Sequence, residues 1–181
     1  MAYMTPTRPT PPFNLMAWIE AHRHELVPPV ANRQVYPAGD FIIMVVGGPN
    51  ARDDYHVDPG AEFFYQFEGT LNLRTMQEGL PIEYAVAPGE IFLLPPFVPH
   101  SPQRPAGSMG LVVERRRIRT ERDGFQWYCP ACHHLMHEEH LFVEDIEASL
   151  PPVFARFYAN DRSRSCARCG HIPAWIDSRA R

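Results

Sequence analysis

Two histidines and one glutamate carry the chemistry this chain can do. His56 and Glu62 stand six positions apart in the stretch Tyr55-His56-Val57-Asp58-Pro59-Gly60-Ala61-Glu62, and the glutamate opens an aromatic run that ends at Gly69. A second stretch, 89–100, passes from a turn through an apolar run into a proline-stiffened bend that delivers His100. A lone His near a Glu is usually solvated surface. Two imidazoles and one carboxylate on rigid strands instead form a facial triad, the ligand set that leaves open positions on a non-heme Fe(II). A substrate can chelate there through two adjacent donor atoms while dioxygen takes the remaining site. Strand side chains alternate faces, so Glu62 should share a face with Phe64 and Gln66, while Phe63, Tyr65 and Phe67 take the other.

A second set of ligands is independent of the first. Cys129-x-x-Cys132 and Cys166-x-x-Cys169 offer four thiolates, enough for a closed tetrahedral Zn or Fe site. Four protein ligands leave no open position, so this site reads as structural. His133, His134, His137 and His140 lie between the pairs and could substitute as ligands, but surface or helix positions suit them better. A dithiol redox centre is disfavoured because two matched pairs would be superfluous. In a chain with no signal-peptide core, paired cysteines point to metal or redox chemistry rather than to structural disulfides.

The elements that position these groups follow from the rest of the chain. With 181 residues there is room for one ordinary domain and a small appendage. Twenty prolines are too many for a helix bundle and suit a barrel or sandwich with stiff turns. The formal charge of -4 argues against a nucleic-acid surface. The basic run Glu114-Arg115-Arg116-Arg117-Ile118-Arg119 is read as a strand end with solvated arginines. No apolar run reaches membrane-spanning length, so the protein is expected to be soluble and cytoplasmic, with no membrane partner.

The first dozen residues should form an extended arm. Asn14 then caps an amphipathic helix through Leu15, Trp18, Ile19, His22 and Leu26, stopped by Pro28-Pro29, with His22 and His24 at its surface. Strands are expected at 41–46, 62–67, 70–76 (Leu71 and Leu73 inward), 82–86, 91–94 and 110–116. The first histidine would precede a strand and the second would follow one. Helical pieces are expected at 143–150 and 152–158, and the tail carries Trp175. The division is an N-terminal arm and helix over 1–31, a β-barrel with the catalytic site over 32–122, and a four-cysteine extension over 123–181. The fold class is all-β dominated.

His56-x-Asp58-x3-Glu62-x6-Gly69 and Gly89-x5-Pro95-x4-His100 resemble the two cupin motifs, with Asp58 where the first motif usually has another histidine. That implies a cupin jelly-roll barrel. A longer set comprises Asn32-Arg33-Gln34-Val35, Val45-Val46-Gly47-Gly48-Pro49-Asn50, Asp54-Tyr55-His56, Glu62 to Gln66, Phe92 to Pro96, His100 to Pro105 and Asp123 to Cys129. Together with the terminal cysteine pair it resembles the 3-hydroxyanthranilate 3,4-dioxygenases, whose bacterial members carry a rubredoxin-like knuckle.

The resemblance implies Fe2+ on His56, Glu62 and His100, a second Fe or Zn on the cysteines, and a homodimer. It implies that a small aromatic amino-hydroxy acid and O2 react to give 2-amino-3-carboxymuconate semialdehyde, which cyclises to quinolinate. Tryptophan breakdown, NAD synthesis and nitroaromatic degradation all remain open as its context. The substrate carboxylate needs a cation, and an arginine fork matches its geometry. The resemblance places Arg52 and Arg104 at the carboxylate or dioxygen side of the pocket. It makes Glu114 the partner of the substrate's amine or hydroxyl and its proton acceptor. Asp54 stays open between a turn cap and a hold on His56. The rival readings are a metal-binding sensor of a small aromatic acid, a sugar-phosphate isomerase and an electron carrier built on the cysteines.

Overall fold

Runs of alternating apolar residues separated by glycine and proline turns become strands here. The computed structural model describes residues 9–28, 31–144, 146–160 and 165–174. Much of the expected N-terminal arm and all of the tail from Trp175 lie outside these residues. The strands are β1 (Asn32–Gln34), β2 (Phe41–Gly47), β3 (Asp54–Val57), β4 (Glu62–Glu68), β5 (Leu71–Gln77), β6 (Leu80–Val86), β7 (Ile91–Leu94), β8 (His100–Gln103), β9 (Met109–Arg115), β10 (Asp123–Tyr128) and β11 (Leu135–Leu141). The helices are α1 (Leu15–His22) and α2 (Ile146–Ala159).

The strands form two antiparallel sheets, ordered β1-β2-β9-β4-β7 and β11-β10-β3-β8-β5-β6. Their facing sides meet in a core of Ile42, Met44, Phe64, Leu71, Leu73, Val86, Leu94 and Val112. Leu71 and Leu73 point inward as expected, and Glu62, Phe64 and Gln66 share the buried face of β4. On the outer face, α1 starts where the Asn14 side chain accepts from the Ala17 amide at 2.9 Å. Ile19 of α1, with Leu26 beyond it, seals Val45 and Met109. The α-helix stops at His22 and a 3-10 turn, Arg23–Glu25, carries the chain toward Leu26. His22 is half-buried rather than fully at the surface, because its ring stacks on Trp18 at 4.2 Å.

Three local expectations are corrected. His56 does precede a strand, β4, and His100 does follow one, β7, but both also lie within strands of their own, β3 and the start of β8, and these two short polar strands are absent from the sequence reading. Neither alternates hydrophobically, because their inward side chains line a polar site rather than the core; they are strands by virtue of their partners. The helical pieces are one helix, α2, with Pro151 and Pro152 inside it. Arg117 is not solvated, since its side chain is 1% exposed. The extension is continuous with the barrel: β10 pairs with β3 from Gly124↔Val57 to Trp127↔Asp54. Phe157 of α2 then stacks on Trp127 at 4.1 Å.

Candidate active site

Register brings the ligand candidates together. In one sheet Phe125, His56, His100 and Thr75 are successive cross-strand neighbours on β10, β3, β8 and β5. In the other sheet Ile42, Glu114, Glu62 and Leu94 form a row across β2, β9, β4 and β7. The imidazoles therefore come from one sheet and the carboxylates from the sheet facing it. His56, Glu62 and His100 each present a ligand atom within 4.8 Å of the others. Oε1 of Glu62 lies 2.9 Å from Nε2 of His100 and 3.6 Å from Nδ1 of His56.

The outer nitrogens are held from behind. Nδ1 of His100 lies 3.0 Å from the Val98 carbonyl oxygen, which can only accept, so the proton sits on Nδ1 and Nε2 is free to bind. Nε2 of His56 lies 3.1 Å from Oδ2 of Asp123. Asp54 does not hold His56; it forms an ion pair with Arg52, whose Nε donates to its Oδ1 at 3.1 Å.

The donor set fits a divalent cation. Oε1 of Glu62 is buried and, among the described residues, accepts no hydrogen bond. Burial alone would raise the Glu62 carboxyl, but the two imidazoles hold it well below the ordinary value. Burial alone would lower His56, yet the Asp123 and Glu62 carboxylates overcome it and push the imidazole up to about 10. The local field thus favours positive charge at this position, and a metal ion competes with the proton for it.

Glu114 has the opposite environment. Burial and the neighbouring Glu62 carboxylate push it up to about 8, against the pull of Arg117. Asp58, Glu62 and Glu114 also bring carboxylate oxygens within 4.8 Å of one another. The guanidinium of Arg117 compensates two of them, at 2.8 Å from Asp58 and 3.1 Å from Glu114.

The site opens into a cavity of about 430 Å³. Arg52, His56, Glu62, His100, Arg104 and Glu114 all line its polar side. Arg104 is 4% exposed, and burial lowers its guanidinium to about 10, which leaves it cationic at neutral pH. Nη1 of Arg104 donates to the Gln66 side chain at 3.1 Å, its Nε has no partner, and no carboxylate pairs with it among the described residues. Gly110 makes room for this pair, because a Cβ there would stand 2.5 Å from Gln66 Oε1 and 2.9 Å from Arg104 Nη1. The lining also has an apolar part that includes Val143, Leu150, Pro151 and Phe154 from the extension. Sequence reasoning missed this wall, together with Arg117 and Asp123. No local pattern marks them, since each acquires its role only through sheet pairing and helix docking.

The four cysteine sulfurs also lie within 4.8 Å of one another. Each C-x-x-C closes the same turn: the amide of His133 donates to the Cys129 carbonyl, and that of Gly170 to the Cys166 carbonyl, both at 2.8 Å. The amides of Cys129 and Cys166 in turn reach the carbonyls of His134 and His171, both at 2.9 Å. The result is two equivalent knuckles offering a closed four-thiolate set. His137 instead meets Glu139 at 3.1 Å and His140 meets Glu138 at 3.0 Å.

Comparison with known proteins adds an independent line. A sequence model of the family described as 3-hydroxyanthranilic acid dioxygenase matches residues 7–158. A 3-hydroxyanthranilate 3,4-dioxygenase of Xanthomonas euvesicatoria pv. vesicatoria is 56% identical over 162 residues, 90% of this chain and 92% of the relative. Another, of Burkholderia lata, is 52% identical over 162 residues, 89% of this chain and 93% of the relative. Among solved structures, a cupin-2 domain protein of Shewanella frigidimarina is similar with a TM-score of 0.44 and 18% identity, over 54% of this chain and 92% of that one.

Proposed function

The chain belongs to the 3-hydroxyanthranilic acid dioxygenase family, and on that footing we propose that it opens the ring of 3-hydroxyanthranilate with dioxygen at an Fe(II) held by His56, Glu62 and His100. The observation that carries this reading is Arg104. A buried guanidinium with no acid partner among the described residues, on the wall of the cavity that also holds the triad, asks for an anionic ligand. A ring carboxylate supplies that charge in the fork geometry arginine prefers.

Bound Fe(II) supplies open positions for the adjacent amine and hydroxyl and for dioxygen, and lets electron density pass from the ring to oxygen. The protein does the rest. Arg104 fixes the carboxylate end, and Arg52, held by its ion pair with Asp54, adds a second guanidinium to the polar lining. Glu114, with its carboxyl pushed up to about 8, is placed to take a proton from the substrate's hydroxyl or amine near neutral pH. Val112, Phe64, Val143 and Phe154 line the same cavity, and these apolar side chains would flank the ring of a bound substrate and limit water around the reacting atoms. The product is 2-amino-3-carboxymuconate semialdehyde, which closes to quinolinate unaided. Such an enzyme works in the cytoplasm, in tryptophan breakdown, NAD synthesis or aromatic degradation.

The four thiolates hold a second Fe or Zn in a structural role. The outer face of the first sheet carries two apolar cross-strand rows, Leu93–Phe63–Val113–Ile43 and Ile91–Tyr65–Leu111–Val45. The α1 cluster covers the Val45 and Leu111 end, while Ile91 and Leu93 are 66% and 64% exposed. The rows themselves hold no charged residue, and Arg33 and Arg115 stand only at their margins, so the exposed end can oppose its own copy without burying an unpaired ion, and a second copy of the chain is its partner.

The test is oxygen uptake. Protein purified without air is loaded with Fe(II), then given 3-hydroxyanthranilate and air while near-ultraviolet absorbance is followed. Stoichiometric uptake with a transient product that decays to quinolinate is expected. Substrate binding without uptake, in protein verified to hold iron at the triad, would mark a sensor instead.

A further inference from the structure

Behind the triad lies a charged assembly built on Arg117 and Asp123. Arg117 reaches back from the end of β9, and its Nε meets both oxygens of Asp123 at 2.9 and 3.0 Å. Its Nη2 also lies 2.8 Å from Asp123 Oδ2 and 2.8 Å from Asp58 Oδ2, while Nη1 lies 3.1 Å from Glu114. Asp123, fully buried at the start of β10, contacts Nε2 of His56 at 3.1 Å. Phe125, the direct cross-strand neighbour of His56, stacks on the same ring at 5.2 Å with 21° between planes.

An imidazole has two ring orientations of similar steric demand, and they exchange which nitrogen faces the metal position. The ionised Asp123 can only accept, so its bond puts the proton on Nε2 and leaves the Nδ1 lone pair on the Glu62 side, 3.6 Å away. Asp123 cannot swing to another partner, because the Arg117 guanidinium spans both of its oxygens. Phe125 blocks tilting of the ring. His100 needs none of this, since the carbonyl of Val98 two residues back sets its tautomer. The two ligands therefore present different nitrogens, and only His56 depends on a charged support.

We propose that Asp123 and Arg117 are positioning residues that lock His56 with Nε2 protonated and Nδ1 toward the metal, so that metal affinity at the triad depends on them. This rests on the reading of His56 as a ligand. A buried carboxylate behind a metal-bound histidine raises its basicity and fixes its ring, and loss of such a partner typically costs about 10- to 100-fold in affinity. Arg117 makes that carboxylate tenable in a buried site by neutralising it.

Full-length protein labelled with ¹⁵N-histidine and loaded with Zn(II), which is diamagnetic, reports the arrangement directly. In two-bond ¹⁵N–¹H spectra the expected pattern for His56 is a metal-shifted Nδ1 and a protonated Nε2. A metal-shifted Nε2 overturns the proposal while leaving His56 a ligand. No metal shift at either nitrogen overturns the ligand assignment and the proposal together. In parallel, with the four-cysteine site saturated first, Asp123→Ala and Arg117→Met should each raise the Zn(II) Kd at the triad about 10- to 100-fold. Arg117→Lys should recover part of the loss. A folded Asp123→Ala protein with the parent Kd overturns the proposal. If the variants do not fold, the spectrum of the parent protein decides.

Discussion

Glu62 on β4 and Glu114 on β9 are direct cross-strand neighbours, yet their carboxyl groups are driven in opposite directions. Both are buried. Glu62 faces two imidazoles, which hold it well below the ordinary value. Glu114 faces Glu62 itself, and burial together with that like charge pushes it up to about 8. One backbone register thus yields a permanent anion suited to a cation and, one strand over, a carboxyl that exchanges its proton near neutral pH.

The two glutamates should fail differently when replaced. Glu62→Ala is expected to lose metal and turnover together. Glu114→Gln keeps the shape of the side chain and should retain metal while kcat falls by about 10²- to 10⁴-fold, the range for a positioned proton acceptor. Metal content and single-turnover rates measured on the same preparations separate the cases. A metal-free Glu114→Gln protein would move Glu114 into the ligand set.

The same shift makes the metal-free protein sensitive to alkali. Folded Glu114 keeps its proton to about 8, against 4.5 for a free carboxyl. Its stabilising contribution is therefore complete below 4.5 and is lost as pH rises through 8. His56 acts in the same sense, its contribution complete below 6.5 and lost as pH rises through about 10. Glu62 has the reverse sign, losing its contribution only as the solution becomes acid. Urea melts of apo protein should show stability falling between pH 5 and pH 9, and falling less in Glu114→Gln. Equal slopes in the two proteins would remove Glu114 from the account.

Much of this was legible before the fold was known, and the gaps have a common cause. Alternation around Glu62 and the spacing of turns mark β4, β5 and β9, because burial of one sheet face writes a period of two into the chain. The strands that carry His56 and His100 lack that period, since their inward positions are filled by the candidate ligands and the polar groups that face them. Arg117 belongs to a run of charges that locally reads as solvated. Only the fold shows that the strand end turns inward there, and that Asp123 waits six residues on to meet it. Local patterns record what a residue contributes to the core; they are silent about which distant acid it will face.

Arg104 should govern affinity rather than metal binding. Removing a charge-assisted fork is worth roughly 1.5–3 kcal/mol, so Arg104→Ala should weaken substrate binding by about 10- to 150-fold with iron retained. Gly110→Ala tests the same geometry without touching the charge, because its Cβ would displace Arg104 Nη1, 2.9 Å away. Anaerobic titration with 3-hydroxyanthranilate reads both variants. Unchanged affinity in Arg104→Ala would sink the carboxylate assignment.

The apolar outer face of the first sheet predicts self-association. Leu93→Arg places a charge in the row of Phe63, Val113 and Ile43, and Ile91→Arg places one in the row of Tyr65, Leu111 and Val45. Light scattering should show a dimer for the parent protein and a monomer for either variant, with metal content unaltered. A variant that stays dimeric would put the interface elsewhere.

The knuckles make a sharper prediction, because two positions related by the same turn hold different residues. The amides of Gly170 and His133 close equivalent turns, with φ of 73° and 58°. The left-handed region costs an ordinary residue roughly 1–2 kcal/mol relative to its preferred conformation, a penalty glycine escapes. A Cβ at Gly170 would meet nothing within 4 Å, so Gly170→Ala should cost about 1 kcal/mol through backbone strain alone. His133→Gly should be neutral or stabilising by a few tenths of a kcal/mol, since relief of strain is partly offset by the added freedom of the unfolded chain. Cys132→Ser acts on a larger scale. It opens the crosslink between segments that enclose α2, and a clip closing a loop of that length is worth roughly 3–4 kcal/mol in the chain-entropy picture. That corresponds to a fall in Tm on the order of 10 °C, with kcat of the surviving folded protein largely intact because the triad lies on other strands. Melting curves of the three variants, each with and without a chelator, check the ordering. If a chelator lowers the Tm of Cys132→Ser as much as that of the parent protein, the four-cysteine site is not what ties the extension down.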